Sequence, residues 1–191
     1  MKVIGFTGNY GMEEQIPQCY VMADSSILYS GRSFFVPDFA QRFVATPSIV
    51  VRTNRLGKYI APKFAHRYWD AFTAGVSVRA EQGDNPRLNA LDRAFDGAAI
   101  VGDWVDAASV DDARNTPVVI MVNGTVMSQH SLADMHYQLD EMLAGVSTRC
   151  SIKMGDILFT GDTCKGHVLE PGDRITATIG GKQILDVKVK L

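Results

Sequence analysis

Near the end of the chain apolar and polar side chains alternate: Leu185, Val187, Val189 and Leu191 fall on one side, Asp186, Lys188 and Lys190 on the other. A period of two with one polar side is the pattern of a strand in a sheet that has one wet face. Gly180-Gly181 supplies the preceding turn. Asn123-Gly124 is the strongest hairpin signal, because both central positions of the tight turn need positive φ. It joins the apolar run Val118–Val122 to the residues that follow, and the Val118–His130 hairpin is expected to be central to the fold. Further strands are predicted at Lys2–Phe6, at Ile27–Tyr29 and Phe34–Pro37 with turns between, and at Ser48–Arg52, Phe72–Val78 and Ala98–Val105, and a second apolar run lies around Cys19–Met22.

Three stretches break this period. Ala61–Asp70 is predicted to be a helix, with Pro62 in its first turn and Phe64, Ala65, Tyr68 and Trp69 as its apolar face. Asn85-Pro86 is a helix start followed by Leu88, Leu91 and Phe95 at near-helical spacing. Ser131 and Asp134 resemble a capping pair for a helix carrying Leu132, Met135, Leu139 and Leu143, which Gly145 would end. Many short strands with two or three inserted helices predict a β-rich α+β fold, read as one domain over residues 1–191.

Composition narrows the function classes. The 191 residues are 46% hydrophobic and 21% charged, enough to bury a core without disulfides or metal. A formal charge of −2, with the signs interspersed, argues against nucleic acid as a partner. The densest basic stretch, from Arg52 through Arg55, Lys58 and Lys63 to Arg67, reads as a solvated face or as a surface for an acidic ligand or partner. Cys19, Cys150 and Cys164 match no metal spacing and fit a reducing compartment. No apolar run approaches the ~20 residues of a membrane span, and the start of the chain is too short in apolar residues for a signal peptide. A soluble, cytoplasmic protein is expected, with no membrane partner.

An ordered set of motifs adds to this reading. VNGTVMSQH (Val122–His130), GDILFTGD (Gly155–Asp162) and PGDRITATIGG (Pro171–Gly181), preceded by GNY (Gly8–Tyr10), ADSSIL (Ala23–Leu28) and RAFDGAAIVGDWV (Arg93–Val105), together resemble the fumarylacetoacetate hydrolase family. The likeness covers nearly the whole chain, most specifically from Val122 onward and most loosely before Phe72. It implies a mixed β-roll with a few inserted helices, usually a homodimer. For members of that family the resemblance also implies a pocket that holds Mg²⁺, Mn²⁺ or Ca²⁺ and hydrolysis, isomerisation or decarboxylation of diketo or hydroxydienoic acids.

In such chemistry a hard divalent cation takes oxygen ligands, polarises a carbonyl and stabilises the enolate formed as a C–C bond breaks. The resemblance implies a Glu-x-Glu pair on one strand and an Asp on a later one. Aligned through NRLGKYI, those positions are Thr46, Ser48 and Ser77, all neutral. Losing all three together is physically consistent, because clustered carboxylates without a cation repel one another. No metal cofactor is therefore expected. The family's catalytic His, placed shortly after the Asn-Tyr pair, is also missing from NYGMEEQIP, where Glu13 sits near that position. The lysines expected before ADSS and FDG appear as Met22 and Arg93, and an arginine cannot readily give up a proton.

What the resemblance leaves is a candidate pocket of Tyr10, Glu13, Arg93, Gln129, Thr160 and Thr163. Tyr10 either hydrogen-bonds a ligand carboxylate or keeps its ring in the core and its hydroxyl wet. The GDTCKG loop either offers backbone N–H groups to an anion or is a plain hairpin loop, and Asp162 places a negative charge where the family usually has Thr. Cys164, beside Lys165, is a lowered-pKa thiol or an ordinary one, while His66 and His130 lack ligand-spaced company and read as structural or surface residues. Three readings follow: a degenerate, metal-free homologue that binds a small carboxylate or a partner; an active hydrolase or isomerase of a small diketo acid with a changed site, like 2-hydroxyhepta-2,4-diene-1,7-dioate isomerases; and an interaction protein without chemistry.

Overall fold

A computed structural model describes residues 1–11 and 17–191 of the chain. The predicted alternation becomes two β-sheets around a shared core. The larger contains β1 (Val3–Phe6), β2 (Cys19–Met22), β3 (Ile27–Tyr29), β5 (Ala40–Thr53), β6 (Trp69–Gly83), β7 (Ala99–Val101), β8 (Val105–Asp106), β11 (Ile157–Phe159) and β12 (His167–Val168). Its main path runs β2-β1-β11-β5-β6-β7-β3, with β12 on β5 and β8 on β6. The smaller, ordered β10-β9-β13-β14-β4, contains β4 (Ser33–Phe35), β9 (Val118–Val122), β10 (Thr125–His130), β13 (Arg174–Ile179) and β14 (Lys182–Lys190). Most pairs are antiparallel, but β1–β11, β3–β7 and β4–β14 are parallel, so both sheets are mixed. This is the β-rich α+β architecture that the sequence predicted.

The long antiparallel pair β5–β6 organises the site, because its two faces differ in chemistry. Phe43, Ala45, Ile49 and Val51 of β5, with Phe72, Ala74, Val76, Val78 and Ala80 of β6, enter the main core beside Ile120, Ile175, Leu185 and Val187 of the smaller sheet. The intervening residues, Thr46, Ser48 and Val50 opposite Ser77, Gly75 and Thr73, face the other way. A smaller apolar cluster of Val3, Met22, Val50, Ala99, Val101, Ile157 and Phe159 covers the Val50 end and leaves the Thr46 end polar. Pro47 is tolerated inside β5 because the neighbouring strand is interrupted there. Its carbonyl, and hence its N–H-less nitrogen, points at the loop between β11 and β12, where Thr163 N–H donates to Pro47 O at 3.0 Å.

Several predicted elements change. The helix over Ala61–Asp70 is one turn, α1 (Pro62–Ala65), since Trp69 and Asp70 already belong to β6 and Phe64 is exposed. The stretch after Asn85-Pro86 is a 3₁₀ helix over Pro86–Leu91 with Leu88 and Leu91 exposed, while Phe95 packs against Phe34, Phe39 and Phe43. Ala98–Val105 divides into β7 and β8 because Gly102–Trp104 leaves the ladder with β6, and Asp103 N–H donates instead to Ile184 O of β14 at 2.7 Å. Ser131 and Asp134 do form a capping box, but on the 3₁₀ turn Leu132–Asp134. The helix proper, α2 (Leu139–Arg149), has its own box from Gln138 and Glu141 and runs through Gly145. A Cβ on Gly145 would lie 2.7 Å from the Tyr137 hydroxyl, so this glycine makes room for a neighbour and does not stop the helix. The Asn123-Gly124 hairpin is present with φ of 52° and 79°, yet β10 forms one end of the smaller sheet instead of its centre. Leu191 is exposed, whereas Leu185, Val187 and Val189 are buried as predicted. No helix among the described residues is long and apolar enough to cross a membrane.

Candidate functional site

The polar end of the β5–β6 face forms a floor of hydroxyl groups. Thr46 and Ser77 are direct cross-strand partners, and Ser48 lies two residues along the same face. All three are buried, with 7%, 1% and 2% of their surfaces exposed. Ser48 Oγ donates to its neighbour's carbonyl, Ile49 O, at 3.1 Å and accepts from Gly161 N–H at 3.4 Å. The loop after β11 closes over this floor through glycines. A Cβ on Gly166 would lie 2.3 Å from Val44 Cγ1, and one on Gly161, whose φ is 134°, would lie 2.2 Å from Gly8 O.

Arg93 stands over the floor. Its backbone is fixed by Phe95, two residues on, which wedges among Phe34, Phe39 and Phe43. Its Nη1 donates to Ser77 Oγ at 3.2 Å, and its guanidinium carbon lies 4.6 Å from the ring centroid of Tyr20. Tyr20 is paired with Gly5 across β1 and β2, and its ring lies over that glycine: a Cβ there would be 2.2 Å from Tyr20 Cζ. Burial raises the Tyr20 phenol above its ordinary range, against hydrogen bonding with Ser77 and the positive charge of Arg93. Asp162, on the loop after β11, lies within the field of the same guanidinium. Its burial raises the carboxyl, opposed by Arg93, by a hydrogen bond from Gly8 N–H and by Arg79. Arg42, Arg52, Arg79, Arg114 and Arg174 each pair with a carboxylate; among the described residues Arg93 has none within 4.0 Å.

The other candidate residues scatter. Tyr10 is buried, and its hydroxyl is neither wet nor open to a ligand: it bonds Thr160 Oγ1 at 2.8 Å, while Thr160 Oγ1 donates to Ile49 O at 2.8 Å. Burial raises the Tyr10 phenol well beyond its usual value. Thr163 accepts from Ser128 Oγ at 2.6 Å and donates to Pro47 O at 3.1 Å, so Thr160 and Thr163 are both interior struts. Gln129 is exposed on β10, and Glu13 lies outside the described residues. The N–H groups of Gly161 and Thr163 are engaged by Ser48 and Pro47, which leaves the loop less of an anion cradle than GDTCKG suggested. Cys164 is not a lowered-pKa thiol: burial and the charge of Asp162 both push it up. His130 packs on the Tyr10 ring at 5.4 Å, and His66 is exposed.

Three contributors escaped the sequence reading. Tyr20 sits on an edge strand, and nothing local says what its ring covers. Gly5 carried the one available signal, a glycine inside an apolar strand, which marks a close approach. Asn9, with φ of 84°, is buried and ties three segments: Nδ2 donates to Thr160 O at 2.7 Å and Tyr137 O at 3.1 Å, and Oδ1 accepts from Tyr137 N–H at 2.6 Å.

This donor set does not suit a divalent cation. A hard ion wants anionic oxygens, and the floor offers neutral hydroxyls with a guanidinium already bonded to one of them. Among the described residues no three His, Cys, Asp or Glu side chains converge as a metal group. A guanidinium with unused donors above hydroxyl groups suits a carboxylate instead.

Comparison with known proteins agrees with the architecture. A family model described as "Fumarylacetoacetate (FAA) hydrolase C-terminal" matches residues 8–190. The chain is 30% identical over 93 residues to oxaloacetate tautomerase YcgM of Escherichia coli, covering 48% of this chain and 42% of that protein. It is 28% identical over 141 residues to the mitochondrial oxaloacetate tautomerase FAHD2A of Bos taurus, covering 72% of this chain and 45% of that protein. These matches span less than half the length of either relative. Among solved structures, a fumarylpyruvate hydrolase from Pseudomonas aeruginosa in complex with Mn²⁺ and pyruvate superposes with a TM-score of 0.87 at 19% identity, over 100% of this chain and 90% of that one. A 5-carboxymethyl-2-hydroxymuconate delta-isomerase from Mycobacterium smegmatis gives 0.85 at 20% identity, over 99% and 78%.

Proposed function

The chain belongs to the fumarylacetoacetate hydrolase family, and from that premise we propose that it is a divergent member that binds a small carboxylic acid without a divalent cation. The observation that carries this reading is Arg93, bonded to Ser77 and stacked on Tyr20 with no ion-pair partner among the described residues, above three neutral hydroxyls. A carboxylate entering there would meet a planar donor fork already oriented by an aromatic face. Relatives named for oxaloacetate, and a neighbour crystallised with pyruvate, support 2-oxo acids as the first compounds to try.

The test is calorimetric titration of pyruvate and of oxalate into protein held in EDTA, beside metal analysis of protein purified without chelators. Binding in EDTA that is lost in Arg93→Met is the expected result. Stoichiometric Mn²⁺ or Mg²⁺ in the purified protein, or binding that requires either ion, would overturn the proposal.

A second reading, a metal-independent isomerase, draws on Asp162. A carboxyl raised by burial beside a cation suits proton transfer at a bound oxo acid. Oxaloacetate keto–enol exchange in EDTA, faster with the unmodified protein than with Asp162→Asn, is its expected signature; equal rates would exclude it.

A further inference from the structure

We infer that the Arg93 guanidinium is the site's own cation, tethered to the chain in place of a bound ion, and that the cavity left by its removal accepts a small guanidinium ion and not a divalent metal. Three other elements surround this one group, and the segment that carries it is itself anchored. From β6, Ser77 accepts its hydrogen bond at 3.2 Å. From β2, the Tyr20 ring offers its face at 4.6 Å, where an aromatic quadrupole attracts a cation. From the loop after β11, the charge of Asp162 is opposed by the same guanidinium. From the segment that carries it, Ala80 N–H donates to Asp92 O at 2.8 Å and Ala98 N–H to Phe95 O at 3.0 Å, so the side chain starts from a fixed point.

The shape of this surround selects the ion. An aromatic face on one side and a hydroxyl in line with an N–H on another suit a flat, delocalised ion with several donors. A compact divalent ion would exchange its water shell for neutral oxygens and a ring, which does not repay dehydration. With Arg93 in place, a metal near Ser77 would also meet a like charge within bonding range of the same hydroxyl. Gly5 deepens the arrangement, since any side chain there would push Tyr20 off its place. The inference does not require the acid ligand of the proposed function to exist. Failure to bind pyruvate or oxalate would sink that proposal and leave this one standing.

Truncation with chemical rescue tests it. Arg93→Ala is expected to melt on the order of 4 °C below the unmodified protein. Millimolar methylguanidinium, far below denaturing concentrations, should recover a substantial part of that loss in Arg93→Ala and raise neither the unmodified protein nor Arg87→Ala, an exposed control outside the site. Mg²⁺ and Mn²⁺ should recover none of it. Recovery by either metal, or equal melting of Arg93→Ala with and without methylguanidinium, would overturn the inference. Should Arg93→Ala not fold, refolding from urea with and without methylguanidinium asks the same question, and equal yields would overturn it.

Discussion

Gly5 lies in the middle of a strand buried on both faces, where a glycine gives up more chain entropy than any other residue and packs nothing itself. Its use is negative space: the Tyr20 ring lies across it and offers its face to Arg93. Gly5→Ala should therefore destabilise the protein despite alanine's lower entropy cost. An overpacked site of this kind costs about 1–3 kcal/mol, readable as a fall in urea midpoint with an unchanged slope. A midpoint at or above that of the unmodified protein would mean that the ring is not packed there. The contrast between Tyr20 and Arg93 shows what single residues disclose. Arg93 stood out in the sequence because the family resemblance implies a lysine there. Tyr20 did not, because its role depends on a cross-strand partner fifteen residues away and on Ser77, fifty-seven residues away.

Among the elements, those written in one unbroken period were legible, and those that must satisfy two environments were not. The alternation of β14 and the Asn123-Gly124 turn needed only local chemistry. The strand expected at Ser48–Arg52 extends to Ala40–Thr53, and the part that was missed carries Arg42, paired with Glu81, and Thr46 on the polar side that continues into Ser48. A strand with a wet half and a Pro47 at a broken neighbour does not announce itself by hydrophobicity. The capping motif shows the same limit. Asp134 Oδ2 accepts from Ser131 N–H at 2.7 Å and from Ser131 Oγ at 3.1 Å, as the spacing promised, yet the turn it starts lasts three residues before Met135 becomes extended. Its worth is still that of a cap. Asp134→Ala should cost about 1 kcal/mol in urea denaturation, and Asp134→Asn should recover part of that through its remaining acceptor. Equal stability of Asp134→Ala and the unmodified protein would show that the turn is held by Leu132 burial alone.

For the molecule as a whole, two aspartates, the half-buried Asp162 and the buried Asp173, pull the stability–pH curve in opposite directions. Asp162 is raised by burial, a cost that Arg93, Gly8 N–H and Arg79 only partly offset. Its folded pKa lies above its unfolded value, so its charged form penalises folding at neutral pH, and the penalty fades as pH falls through the folded and then the unfolded pKa. Asp173 is the reverse. Partial burial acts to raise it, but Glu170 N–H at 2.9 Å, Asn123 Nδ2 at 2.7 Å and His167 Nε2 at 2.8 Å together hold it below the usual carboxylate range. It stabilises the fold above its unfolded pKa, and that contribution is lost as pH falls through the lower folded value. Melting curves across pH should separate the two. Asp162→Asn should melt above the unmodified protein at neutral pH, and the gap should close in mild acid. Asp173→Asn should melt below it at neutral pH, with the gap closing only at lower pH. Arg93 enters here as well: without its charge Asp162 is raised further, so in an Arg93→Ala background the Asp162→Asn gap should be wider at neutral pH and begin to close at a higher pH. An Asp162→Asn protein that melts lower than the unmodified one at neutral pH would reverse the sign assigned to this carboxyl. It would mean that Arg93 and Asp162 form a net-stabilising pair, with the guanidinium already neutralised inside the fold.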